Sequence, residues 1–130
     1  MSPSHKRKIG DIGEEVACKY LAKQRYIVLE RNYLRPWGEI DIVAEKRGKL
    51  RFVEVKAISC EMGAGKEGYS VRPEDNMHPG KLKRLHRAIQ TYLLDHKVPE
   101  EKEWQIDLAC VFLDFNAKRA RVEMIENVVF

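Results

Sequence analysis

The sequence predicts an α/β domain in the order α-β-β-β-α-β-β, a mixed sheet flanked by helices. Three observations predict it. Two segments place apolar residues at helical spacing. Five others run as short apolar or alternating strands. Lys46-Arg47-Gly48 sits between two of those strands as a tight-turn signal.

The first helix is predicted from near Ile9 to Lys23, where Ile9, Ile12, Val16, Ala17, Tyr20 and Leu21 recur at helical spacing. A strand follows over Tyr26–Tyr33, and Pro36 and Gly38 mark a turn. Strands over Glu39–Glu45 and Lys49–Ile58 form the hairpin. Residues 59–78 contain Gly63, Gly65, Gly68 and Pro73 among mixed charges, which predicts a mobile loop. Pro79 suits the first position of a helix, because a missing N–H costs nothing there. Leu82, Leu85, Ile89, Tyr92 and Leu93 carry that helix to near His96. Final strands are predicted over Ile106–Phe115 and Arg121–Ile125.

The 130 residues suit one domain, with residues 1–8 as a flexible basic terminus. A 44% hydrophobic share is enough for a real core, which excludes a disordered tail. Lys and Arg number 24 against 20 Asp and Glu, a net charge of +4 that fits an anionic partner such as nucleic acid. No apolar run is long enough for a membrane span or a signal peptide, so a cytoplasmic protein with no membrane partner is expected. Cys18, Cys60 and Cys110 are odd in number and far apart, and read as reduced thiols. With four scattered histidines they make no zinc pattern. No P-loop, dinucleotide loop or Ser/His/Asp arrangement is visible.

The chemistry concentrates on the hairpin. Leu50, Phe52, Glu54, Lys56 and Ile58 share one face of their strand, and Val53 and Val55 lie on the other. A strand apolar on both faces belongs in the middle of its sheet. Glu54 and Lys56 therefore lie among apolar neighbours, where a charge needs a partner or a metal. With Arg47-Gly48 as a two-residue turn, Asp41 faces Glu54 and Glu39 faces Lys56. Facing carboxylates repel, and a divalent cation between them reverses the sign. Hard oxygen ligands favour Mg²⁺ or Mn²⁺. On the first helix Glu14 lies roughly 20° from Leu21 around the axis, at the border of the core stripe, whereas Glu15 points to solvent.

This set suits hydrolysis of a phosphodiester, which needs a water in line and charge neutralised on the phosphoryl oxygens. Asp41 and Glu54 are the expected metal ligands. Lys56 is expected to stabilise developing negative charge, with Glu39 behind it. Each residue also has a plainer reading. Glu54 and Lys56 fit a solvated edge-strand stripe, Asp41 a turn cap, and Glu14 an exposed helix carboxylate favoured by the dipole. Lys81, Lys83, Arg84 and Arg87 fit a solvated helix face as well as a phosphate-binding one.

Gly10-Asp11-Ile12-Gly13-Glu14, Arg31-Asn32, Gly38-Glu39-Ile40-Asp41 and Phe52-Val53-Glu54-Val55-Lys56 together resemble the YraN-like family of uncharacterised bacterial proteins. The resemblance continues through Lys81 and the second helix to Ile106-Asp107 and the terminal Val-Val-Phe. The Asp and Glu-x-Lys elements are also similar to the signature of the PD-(D/E)XK nucleases, and the helix glutamate is similar to that of archaeal Holliday junction resolvases. The resemblance implies a restriction-endonuclease-like fold and a Mg²⁺- or Mn²⁺-dependent nuclease acting on DNA, including branched or repair intermediates. It implies catalytic roles for Glu14, Asp41, Glu54 and Lys56, nucleic-acid contacts for Arg31, Lys81 and Arg84, and a homodimer by analogy with the resolvases. The chain departs from the family pattern at Ala57-Ile58, where a basic residue is usual, and at Gln105-Ile106-Asp107, where Arg-Phe-Asp is usual. The competing implication is a nucleic-acid-binding module of the same fold that cuts nothing.

Overall fold

The computed structural model describes residues 5–61 and 78–128. The elements are α1 (His5–Lys23), β1 (Ile27–Arg35), β2 (Gly38–Lys46), β3 (Lys49–Ser59), α2 (Pro79–Asp95), β4 (Trp104–Asp114) and β5 (Arg119–Ile125). This is the predicted order. The region expected to be a mobile loop, apart from residues 59–61 and 78, lies outside the described residues. Helix α1 begins earlier than its apolar pattern, so residues 5–8 of the expected flexible terminus are helical. Lys and Arg are good helix formers, and a helix nucleated by its apolar face propagates through them.

The five strands form one sheet in the order β1-β2-β3-β4-β5, with β3 in the middle as its two apolar faces require. All neighbours pair antiparallel except β3 and β4, which are parallel. A parallel pair cannot be closed by a hairpin, and α2 lies in the crossover between them. The hairpin register is the expected one. Arg47 and Gly48 both have positive φ, 53° and 74°, as a two-residue turn between right-twisted strands demands. Lys46 thus faces Lys49, and the ladder runs to Ile42 opposite Val53.

Each face of the sheet has its own core. Ala17 and Leu21 of α1 pack with Ile42, Ala44, Val53, Ala109 and Val111. Leu85, Ala88, Ile89 and Tyr92 of α2 pack with Tyr33, Ile40, Val43, Leu50 and Phe52. Tyr92, on the apolar stripe of its helix, is thus a core residue. Ile40 and Ile42 lie two residues apart yet serve opposite cores. A flat strand would put both on one face, so β2 turns over at Asp41. Across from that point on β1, Asn32 has φ 53°, a left-handed conformation that an Asn tolerates.

Asp107 belongs to the scaffold. It is fully buried, accepts from Gln105 Nε2 at 2.6 Å and from the Asn127 backbone N–H at 2.9 Å, and lies 3.6 Å from Arg51 Nη1. Arg51 also holds Glu126 at 2.9 Å. These contacts tie the segment after β5 to the sheet, on the side away from Glu54. Cys18, Cys60 and Cys110 form no disulfide. No helix among the described residues is long and apolar enough to cross a membrane.

Candidate active site

Two glycines bring the helices to the centre of the sheet. A Cβ at Gly13 would lie 2.5 Å from Ala57 Cβ, so only glycine lets α1 sit this close to β3. A Cβ at Gly38 would lie 2.4 Å from the Arg84 carbonyl oxygen, so the start of β2 touches the backbone of α2. Glu14 follows the first glycine directly, and Asp41 follows the second by three residues. Helix α2 starts at a His78 cap, whose Nδ1 accepts from the Gly80 N–H at 3.1 Å, with Pro79 behind it. Its first turn is thereby aimed at Glu54.

The close approach at Gly38 makes a matched pair of variants informative. Gly38→Ala must displace backbone, and a loss of about 1–3 kcal/mol is expected. Gly10, in α1, has nothing within 4 Å of an added Cβ, so Gly10→Ala is expected to be neutral or to stabilise by up to about 1 kcal/mol. Urea unfolding of both proteins checks the contrast. Equal effects would mean that Gly38 does not set the helix position.

Asp41 and Glu54 are both buried, 8% and 7% exposed, next to one another at the end of the β2–β3 ladder. Asp41 Oδ2 accepts from the Val55 N–H at 2.8 Å, a side chain taking the place of a ladder carbonyl. Burial first, and then the Glu54 charge, push the Asp41 carboxyl up to about 8. Glu54 is also raised by burial, while the Lys81 ammonium and a hydrogen bond with Asp41 pull it back. Both shifts disfavour the charged form, so the two carboxyls resist ionising together. Glu14 is half-buried and raised by burial, with Arg31 opposing and Glu39, Asp11 and Glu54 adding. Because β2 turns over at Asp41, Glu14 on the α1 side and Glu54 on the α2 side act on the same carboxyl.

The cations are arranged differently from the expectation. Lys81 Nζ lies 2.8 Å from Glu54 Oε1, so the Glu54 partner comes from α2 and not from its own strand. Lys56 is half-buried on β3, in register with Cys110 of β4. It makes no ion pair among the described residues, with Glu39 or otherwise. The nearby Cys110 thiol is pushed up to about 11, by burial and Glu123, with Lys56 opposing. Glu39 is exposed and paired in register with Leu34, and it acts on Asp41 and Glu54 only through charge. Arg31 holds Glu15 at 3.1 Å on the surface.

A cleft of about 410 Å³ opens beside Glu54. Lys81, Arg84 and Leu85 of α2 line one side, and residues 34–39, with Leu34, Pro36, Trp37 and Glu39, line the other. Trp37 had no reading in the sequence beyond its place in a Pro-Gly turn, yet it is pinned there. Its Nε1 donates to Thr91 Oγ1 at 3.0 Å, and the Arg87 guanidinium lies 5.0 Å from its ring centre. Arg35, also on the rim, is held by Asp95 at 2.9 Å.

Among the described residues no three Asp, Glu, His or Cys side chains lie close enough to hold an ion by themselves. Two adjacent buried carboxyl groups are nevertheless a fitting donor set for a hard cation. Mg²⁺ keeps several waters and commonly takes only one or two protein carboxylates, the rest coming from substrate phosphate.

The profile of the uncharacterised protein family UPF0102 matches residues 13–123, a span holding Glu14, Arg31, Glu39, Asp41, Glu54, Lys56, Lys81 and Arg84. The chain belongs to this family. A UPF0102 protein of Helicobacter hepaticus is 34% identical over 128 residues, covering 98% of this chain and 97% of the relative. One from Campylobacter lari is 32% identical, covering 91% and 90%. One from Helicobacter pylori is 33% identical, covering 100% and 97%. These UPF0102 relatives share the length of the chain, and their names carry no activity.

Proposed function

We propose that this UPF0102 protein is a metal-dependent nuclease of the PD-(D/E)XK type that hydrolyses phosphodiester bonds in DNA, including branched or repair intermediates. The observation that carries the reading is the buried Asp41–Glu54 pair, with Glu54 at the edge of a cleft that has Lys81 and Arg84 on its wall. Asp41 and Glu54 would hold Mg²⁺ or Mn²⁺. When bound, the cation supplies an acidified water and polarises the phosphate. The chain's own groups do the remainder. Lys56 stabilises negative charge as it develops on the phosphoryl oxygens. Glu14, raised by burial and facing Asp41, accepts a proton from the attacking water. Lys81 and Arg84 position the substrate phosphates, with Arg31 outside them. A homodimer in the cytoplasm is the assembly expected by analogy with resolvases of this fold.

A second reading has a specific observation in its favour. Lys81 already neutralises Glu54, and a module that only binds nucleic acid needs no metal to stabilise that carboxylate. Incubating the protein with duplex, flapped, four-way and single-stranded DNA, with Mg²⁺, Mn²⁺ or EDTA, separates the readings. Cleavage that needs the metal is expected. Binding should weaken with salt, with a slope of log K on log salt of about −3 to −4 for about four phosphate contacts. Salt-sensitive binding without cleavage would support the binding module, and absence of binding at low salt would reject both.

A further inference from the structure

We propose that the cleft beside Glu54 receives one unstacked nucleotide, so that the substrate is unpaired next to the bond that is cut. The walls differ in chemistry. Leu34, Pro36 and Trp37 form an apolar patch on the β1–β2 side, flanked by Arg35 and Glu39, with Leu34 66% exposed. Lys81 and Arg84 form a cationic side, and Arg84 makes no ion pair among the described residues. A nucleotide has the complementary division: a flat apolar base and an anionic phosphate. At about 410 Å³ the cleft lies near the lower end of small-ligand sites, roughly 300–1,000 Å³. That is room for a nucleoside and its phosphate and not for a stacked base pair.

Trp37 is built to stay in place. A mobile indole in a turn would lose conformational entropy on stacking, whereas the bond to Thr91 and the Arg87 guanidinium fix this ring beforehand. An aromatic platform of this kind is sequence-tolerant, since every base has a π-face. The opposite wall belongs to α2, whose Lys81 touches Glu54. A base against Trp37 therefore has its phosphate directed at the carboxylate pair. A fully stacked duplex has no base free to enter.

This inference rests on the nucleic-acid reading of the site and adds the substrate class. The test uses DNA of one sequence as a blunt duplex and as a duplex with a single-stranded arm. The arm carries 2-aminopurine at successive positions, and binding is measured in Ca²⁺, without turnover. Expected are tighter binding of the armed substrate and quenching of 2-aminopurine at one or two positions beside the junction. Trp37→Ala should remove the quenching and weaken binding of the armed DNA about tenfold, with duplex affinity unchanged. Trp37→Phe, which keeps a flat ring, should retain most of both and shows that a loss in Trp37→Ala is not misfolding. Equal affinity for blunt and armed DNA, or undiminished quenching in Trp37→Ala, overturns the inference while leaving nuclease activity open. Binding of neither DNA overturns the inference together with the reading it rests on.

Discussion

Lys56→Ala is expected to slow metal-dependent cleavage by about 10²-fold or more, with DNA affinity and metal binding close to wild type. The magnitude is that of removing one stabiliser of transition-state charge from a partly buried site. Lys56 shares a strand face with Glu54 two residues away, and lies half-buried beside Cys110 with no ion pair among the described residues. In the proposed mechanism its ammonium acts on the reacting phosphate. Lys81 is not equivalent, because it lies against Glu54 on the cleft wall, where the proposal has it position substrate. Affinity should change little, since one phosphate contact among several is lost. Single-turnover cleavage and equilibrium binding, on proteins matched by circular dichroism, give the two readouts. Equal cleavage by wild type and variant would remove Lys56 from the mechanism.

Asp41→Asn is expected to stabilise the fold at pH 8 and to do so much less at pH 5. In the unfolded chain Asp41 titrates near its ordinary value of 3.8, and in the fold it is pushed up to about 8. Between those values the folded state keeps a proton that the unfolded chain has released. Stability is thus highest below about pH 4 on this account, and is lost as pH rises toward 8. Asparagine has the same shape, can still accept from the Val55 N–H, and has no proton to lose. Each pKa unit corresponds to about 1.4 kcal/mol, so the shift sets a ceiling of roughly 6 kcal/mol. Interaction with Glu54 and local relaxation reduce this to about 2 kcal/mol at pH 8, with about a third of it at pH 5. For a domain of this size that is a rise in Tm of roughly 6–10 °C at pH 8. Such a gain accompanied by loss of cleavage is what a site that trades stability for chemistry gives. The same Tm change at both pH values, or destabilisation at pH 8, would mean that Asp41 is not a strained carboxyl.

Much of this site was legible because it depends on local chemistry. The two-residue turn at Arg47-Gly48 fixes the β2–β3 register, and the register puts Asp41 and Glu54 together. The apolar residues on both faces of β3 place that strand in the middle. What was hidden depends on contacts between distant segments. The turning-over of β2 at Asp41 involves Asn32 on the neighbouring strand, and no period in the sequence marks it. The Lys81–Glu54 pair exists because α2 rests on Gly38, and a chain segment of some twenty residues separates that helix from β3. Trp37 and Arg35 sit in and beside a Pro-Gly turn, where composition signals only a change of direction. A glycine three residues beyond Arg35 and three before Asp41 was the available hint, since a glycine next to a carboxylate site often marks a close backbone approach.

In the proposed mechanism Asp41 and Glu54 together hold the cation that cleavage needs. Calorimetric titration with Mn²⁺ at pH 8, of the wild type and of an Asp41→Ala/Glu54→Ala double variant, tests it most directly. Saturable binding by the wild type is expected, with protons released because the raised Asp41 carboxyl must ionise, and no binding by the folded double variant. Unchanged binding in the double variant, or no binding in the wild type with or without DNA present, would contradict it.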